Sequence, residues 1–193
     1  MANEYATRDA LKLRLGLEDD DTTRDELLDN ALAAAARGID TATGRRFWLD
    51  DLPSARSFTL AGRTVRDEAG TRVLLDDMGA DPELVETGGA GTWSPLTGYD
   101  TAPDNALLRG RPITALSGAG WGTGRIRVTA RWGWPAVPDE IREATLIQAA
   151  RLYRRKDSPE GVTGSAEWGV VRLSRRDPDV WALIEHFVIP GFG

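Results

Sequence analysis

His186 is the only imidazole in the chain and there is no cysteine, so thiolate zinc sites, disulfides, cysteine nucleophiles and clustered-histidine metal centres lack their ligands. A serine triad would have to recruit His186 from an apolar helix near the last residues, and no Gly-x-Ser-x-Gly elbow is present. The paired carboxylates Asp19/Asp20, Asp50/Asp51 and Asp76/Asp77 raise glycoside hydrolysis. That chemistry needs two carboxyls fixed across a cleft, one with its pKa raised by burial, whereas neighbouring aspartates in turns are normally solvated. The run Gly118-Ala119-Gly120-Trp121-Gly122-Thr123-Gly124 is glycine-rich enough to cradle a phosphate, but it leads into an alternating strand and lacks the Lys-Ser/Thr ending, so a hairpin turn is expected. Trp93, Trp121, Trp132, Trp134 and Trp168 could stack on sugars or bases, or fill a core and an interface; the second is expected. These residues describe a protein that is not an enzyme and holds no cofactor or metal, with a carbohydrate- or nucleic-acid-binding β module, or a paired-carboxylate glycosidase, as the alternatives.

The groups must be positioned by a chain of 193 residues with 41% hydrophobic residues, enough for one domain or one domain carrying an insertion. The 24 Lys and Arg against 30 Asp and Glu give a net charge of −6, and no segment is basic. A protein that grips DNA concentrates cations to displace counterions from phosphate; this one concentrates anions at Glu18, Asp19, Asp20 and Asp21. No run approaches the roughly 18 apolar residues of a membrane span, and the first residues lack the pattern of a signal peptide, so a cytosolic destination and no membrane partner are expected.

Thr7 is placed to cap a short helix ending at Leu15 with Gly16 as its left-handed stop. Thr23-Arg24-Asp25-Glu26 has capping-box spacing, and Leu28, Ala31, Leu32, Ala35, Ile39 and Ala42 then recur at helical steps up to Gly44. From about residue 54 to 134 the period becomes that of strands, at residues 57–60, 72–75, 84–87 and 125–132. In the last, Ile126, Val128, Ala130 and Trp132 share one face. After Pro138 a third helix is apolar on nearly all sides, which requires burial either at the centre of a bundle or against a second subunit. A loop at 157–176, with a possible hairpin around 168–173, leads to a last helix capped by Asp177-Pro178-Asp179. The expected fold is α+β, a small helical bundle of two N-terminal and two C-terminal helices with an inserted antiparallel β module. Its parts are 1–53, 54–134 and 135–193.

The order of Leu11-x-x-x-Leu15-Gly16, Thr43-Gly44-Arg45-x-Phe47, Trp132-Gly133-Trp134-Pro135-x-Val137-Pro138, Leu152-Tyr153-Arg154-Arg155 and Ser158-Pro159-x-Gly161 resembles the head-tail connector (adaptor, head-completion) proteins of tailed bacteriophages. The resemblance covers roughly residues 5–47 and 125–190; the β module between them is longer than a minimal member needs. It implies a virion neck protein, made in the host cytoplasm, that forms a ring, commonly of twelve copies, beneath the portal. Such a ring extends the channel for double-stranded DNA without specific binding and receives a stopper or tail-completion protein below. Portal docking would then fall to Trp181, Ile184, Phe187, Val188 and Phe192. Subunit contacts would involve Leu32, Ala35, Ile39, Arg45, Phe47, Ile141, Leu152 and Tyr153, and the channel wall Glu18, Asp19, Asp20 and Asp21.

Overall fold

The computed structural model describes residues 4–67, 70–122, 124–155, 162–163, 171–172 and 177–189. The chain forms two compact units, Met1–Arg45 with Val137–Gly193, and Arg46–Ala136.

In the first unit, α1 (Arg8–Leu15) starts as its sequence predicts: the Thr7 hydroxyl accepts from the Ala10 amide, and Gly16 ends the helix at φ 68°. The start of α2 (Asp25–Thr43) differs. Its N-cap is Arg24, with no side-chain cap. The Thr23 amide and hydroxyl both donate to Asp21 Oδ1 instead. A carboxylate is the stronger acceptor, and with the first helical residue at Asp25, Glu26 lies one position short of the capping-box site, so the box does not form. Leu28, Ala31, Leu32, Ala35 and Ile39 form the buried stripe as expected, but Ala42 is exposed and Thr43 takes the last buried place. There the Thr43 hydroxyl donates to the Ile39 carbonyl at 2.9 Å.

The helix α3 (Asp139–Arg154) packs against α1, α2 and α4 (Pro178–Ile184). Of the two ways to cover an all-round apolar helix, the chain uses its own bundle. Ile141, Ala144, Leu146, Ala149, Ala150 and Tyr153 are buried there, with Leu152 at the margin. Asp177 caps α4 by accepting from the Asp179 and Val180 amides, and it also takes the Arg151 guanidinium. A short 3-10 turn, Glu185–Phe187, follows. In the loop before α4, Val162–Thr163 pairs antiparallel with Val171–Arg172; the remainder of the hairpin expected at 168–173 lies outside the described residues.

The second unit is all antiparallel. Strands β1 (Ser54–Thr59), β8 (Arg125–Ala130), β4 (Leu84–Gly89) and β5 (Thr92–Pro95) form one sheet in that order. The other is β2 (Thr64–Asp67), β3 (Gly70–Met78), β7 (Ile113–Gly118) and β6 (Tyr99–Ala102). Both sheets contribute to one core: Phe58, Val85, Ile126, Val128 and Ala130 from the first, Val73, Leu75, Met78, Ile113 and Leu116 from the second. Four strands escaped the sequence reading because they are short or carry mixed, weakly alternating residues such as Tyr99-Asp100-Thr101-Ala102. The run 118–124 is no hairpin turn either. It carries the chain from β7 in one sheet to β8 in the other, and the buried Trp121 indole anchors it by donating to the carbonyls of Thr71 and Gly118 at 3.1 and 3.0 Å.

Candidate assembly surfaces

Two of the motifs behind the connector resemblance, Thr43-Gly44-Arg45-x-Phe47 and Trp132-Gly133-Trp134, act as fasteners, while Ser158-Pro159-x-Gly161 lies outside the described residues. In the helical unit, Gly44 stops α2 at φ 68°, the Ile189 amide donates to the Thr43 carbonyl at 2.9 Å, and Arg45 Nε donates to the Phe187 carbonyl at 2.7 Å. Thr43-Gly44-Arg45 therefore holds residues 187–189 against the end of α2. In the β unit, the Phe47 ring lies 5.2 Å from the Trp134 ring, Trp134 Nε1 donates to Asp77 at 2.9 Å, and the Gly133 amide donates to the Asp77 carbonyl at 2.7 Å. The Asp50 amide meets the Trp132 carbonyl at 2.9 Å and Arg131 Nε returns to the Asp50 carbonyl at 2.8 Å. Gly133 has φ 109°, and a Cβ there would lie 1.8 Å from the Trp48 carbonyl oxygen, so only glycine lets these two stretches cross. Through these bonds residues 46–53 are tied into the β unit.

Burial sorts the expected subunit contacts. Leu32, Ala35, Ile39 and Ile141 are enclosed in the helical core, and Phe47 in the β unit; Tyr153 is nearly so. These side chains are covered within the chain itself, those of α3 by α1, α2 and α4. Leu152 and Arg45 are half-buried and retain one. At the docking stripe, Ile184 and Phe187 are buried, Trp181 and Val188 are half-buried, and Phe192 lies outside the described residues. Ile189, just beyond, is 43% exposed.

The expected channel residues Glu18, Asp19 and Asp20 are exposed, and Asp21 is half-buried. Thr23, through its hydroxyl and then its amide, holds the Asp21 carboxyl below its ordinary range, which keeps it ionised. Next to this turn lies a group that sequence reasoning missed. Lys12 is only 2% exposed, and its ammonium reaches the carbonyls of Asp19 and Asp21 and the Asp25 carboxylate. Arg8 holds the other Asp25 oxygen at 2.6 Å and also binds Asp29. Lys12, and then Arg8, depress the Asp25 pKa. The signal was available in Lys12 itself, a lysine beside the buried Leu11 in a chain whose cations are otherwise nearly all arginine.

The outer face of the first sheet carries a second missed group. Arg127 is bidentate to Glu86 at 2.7 and 2.8 Å, and its guanidinium lies 4.5 Å from the centre of the Trp93 ring. The Arg127 pair lowers the Glu86 pKa. Register brings Glu86 opposite Arg127, and periodicity alone does not reveal register.

Residues considered for chemistry have structural occupations. Asp50 pairs with Arg46, Asp76 with Arg56, and Asp77 accepts from Trp134. Burial and then Asp29 push the Glu4 carboxyl up, but Glu4 belongs to the N-terminal arm, apart from those aspartate pairs in sequence. Trp121, Trp132 and Trp134 are interior and offer no stacking surface; Trp168 lies outside the described residues. His186 is exposed, its ring 4.1 Å from that of Phe187. No helix among the described residues is long and apolar enough to cross a membrane.

No family model matches the chain, and no curated protein matches it. Solved structures do. A chain from the neck of an empty gene transfer agent particle, computed with C6 symmetry, superposes with a TM-score of 0.57 over 96% of this chain and 91% of its own length, at 21% identity. A chain from the virion of the native gene transfer agent particle gives a TM-score of 0.52 over 96% and 89%, at 22% identity. The mixed helical and antiparallel-sheet fold of this chain is thus one found in the neck of a gene transfer agent particle, and the connector resemblance seen in the sequence holds at the level of the fold.

Proposed function

We propose that the chain is a structural, non-enzymatic neck protein, a head-tail connector that forms a ring below the portal and extends the DNA channel between head and tail. The observation that carries this reading is the fold shared, over 96% of the chain, with a component of a gene transfer agent neck. The sequence motifs support it independently, since Thr43-Gly44-Arg45-x-Phe47 and Gly133-Trp134-Pro135 build the fasteners of the two units.

A ring requires one face of each subunit to meet a different face of its neighbour, with about 1,200 Å² or more buried in total at each contact. With the bundle core closed, the residues fit for that contact include the exposed apolar side chains Leu13, Leu27, Leu52, Leu84 and Leu108 and the half-buried Leu152 and Arg45. Twelve copies is the expected number. Portal docking is assigned to Trp181, Val188 and Ile189, with Phe192 beyond them, while Ile184 and Phe187 support that surface from beneath. The stopper or tail-completion protein would bind the opposite rim. Glu18, Asp19, Asp20 and Asp21 face the lumen, where anionic walls do not retain phosphates and DNA passes without being held.

The test is joining of portal-bearing heads. Removing the chain after Asp179 would also remove the buried Val180, Ile184 and Phe187, so point changes are cleaner. Trp181→Ala with Ile189→Asp should leave a folded protein that no longer sediments with such heads; undiminished joining would refute the docking assignment.

A further inference from the structure

Twenty-two of the chain's 24 cationic side chains are arginine, and one of the two lysines, Lys12, is almost fully enclosed. Its Nζ stands 3.0 Å from the Asp19 carbonyl oxygen, 2.8 Å from that of Asp21 and 2.8 Å from Asp25 Oδ1. An ammonium has three protons on one atom: two are donated to the carbonyls of Asp19 and Asp21, and Asp25 Oδ1 faces the charge as an ion pair without hydrogen-bond geometry. A guanidinium spreads its donors across a plane and cannot converge on the same three oxygens. The geometry therefore calls for a point charge, which explains a lysine in a chain whose cations are, with one other exception, arginine.

The cradle has a consequence for the turn after α1. Its carbonyls at 19 and 21 point inward to the ammonium, while the side chains of Glu18, Asp19 and Asp20 stand in solvent. The Lys12 charge is balanced by Asp25, whose other oxygen is held by Arg8, and not by those three carboxylates. None of the three has a cationic partner among the described residues. Backbone order and outward charge are thereby separated: the lysine fixes the turn without neutralising it.

We propose that Lys12 is the positioning residue of the acidic turn, a built-in cation that holds residues 18–21 in one conformation and leaves their carboxylates uncompensated. Its meaning for DNA passage rests on the assignment of that turn to the lumen.

Amide hydrogen exchange on Lys12→Arg and Lys12→Met tests it. Charge alone would let arginine restore protection; a converging point charge predicts that amides in 19–23 exchange at least about tenfold faster in both variants while α3 amides stay protected. Unchanged exchange at 19–23 in Lys12→Arg would overturn the proposal. Should either variant fail to fold, the native chain supplies the answer by 15N NMR. A slowly exchanging Lys12 ammonium signal at neutral pH is expected, and a solvent-exchanged one contradicts it. The lumen assignment is tested separately, with Lys12 intact, by DNA release from particles carrying Glu18→Gln, Asp19→Asn and Asp20→Asn together. Altered exchange with unaltered release would remove the lumen assignment and keep the positioning role.

Discussion

The helical unit and the β unit bury polar groups by different means. In the helical unit a full charge, Lys12, is enclosed and matched by a carboxylate and two carbonyls. In the β unit the enclosed donors are the neutral indoles of Trp121, Trp132 and Trp134, which give their N–H groups to Thr71 and Gly118, Ser54 and Asp77, while the buried carboxylate Glu86 is an acceptor held by the half-buried Arg127. Arginines lie over aromatic faces there, Arg56 at 4.5 Å from the Trp132 ring centre and Arg63 at 4.9 Å from that of Phe58. An enclosed charge left without its partner costs several kcal/mol, whereas a lost neutral hydrogen bond costs about 1–3 kcal/mol. The helical unit thus places an enclosed cation at the centre of its ionic contacts, and the β unit divides its sensitivity between the Glu86–Arg127 pair, rings and backbone crossings.

The largest effect belongs to the crossing in the β unit. Gly133→Ala places a methyl against the Trp48 carbonyl at a positive φ, and should cost at least about 3 kcal/mol, read as a lower urea midpoint by tryptophan fluorescence. A smaller loss would mean that residues 46–50 can move aside, and the contrast between the units would weaken. Leu32→Ala and Ile141→Ala come next at about 2–5 kcal/mol each, as cavities in a closed core. If these changes instead spared the isolated chain and weakened only its association, the two side chains would belong to a subunit interface. Trp134→Phe keeps the ring against Phe47 but drops the bond to Asp77, with an expected loss of about 1–3 kcal/mol.

Acid sharpens the comparison, because the helical unit holds two carboxylates whose pKa is depressed, Asp21 by Thr23 and Asp25 by Lys12, and the β unit one, Glu86 by Arg127. All three bind protons more readily when unfolded. Their stabilisation is therefore complete above the ordinary carboxylate range and is lost as pH falls through the lower folded values. Urea midpoints should stay flat from neutrality to about pH 5 and decline below about pH 4. Asp25→Asn and Glu86→Gln should each flatten part of that decline. The smallest stability effect is expected at Glu18→Gln, Asp19→Asn and Asp20→Asn, within about 0.5 kcal/mol, since these side chains are solvated.

Legibility in the sequence follows the same division. Thr7, Gly16, Gly44 and the stripe from Leu28 to Ile39 announce their helices, because caps and a 3.6-residue period are local properties. Strand β8 is equally plain, its Ile126, Val128 and Ala130 all interior. What local pattern does not carry is pairing. The partner of Arg127, the crossing at Gly133 and the passage of residues 118–124 between sheets depend on register and on long-range topology. The all-round apolar α3 signalled deep burial correctly, but the choice between an internal bundle and a second subunit is a tertiary matter, and the chain resolves it internally. Lys12 was hidden for a related reason: its three partners come from residues 7, 9 and 13 positions away, brought together only when the turn folds back on α1.

Electron cryomicroscopy of portal-bearing heads incubated with the purified chain tests the neck assignment most directly. A closed ring of this fold at the portal vertex, with residues 18–21 along the channel wall, is the predicted result. Heads that remain bare while the folded chain stays monomeric at every concentration would contradict it.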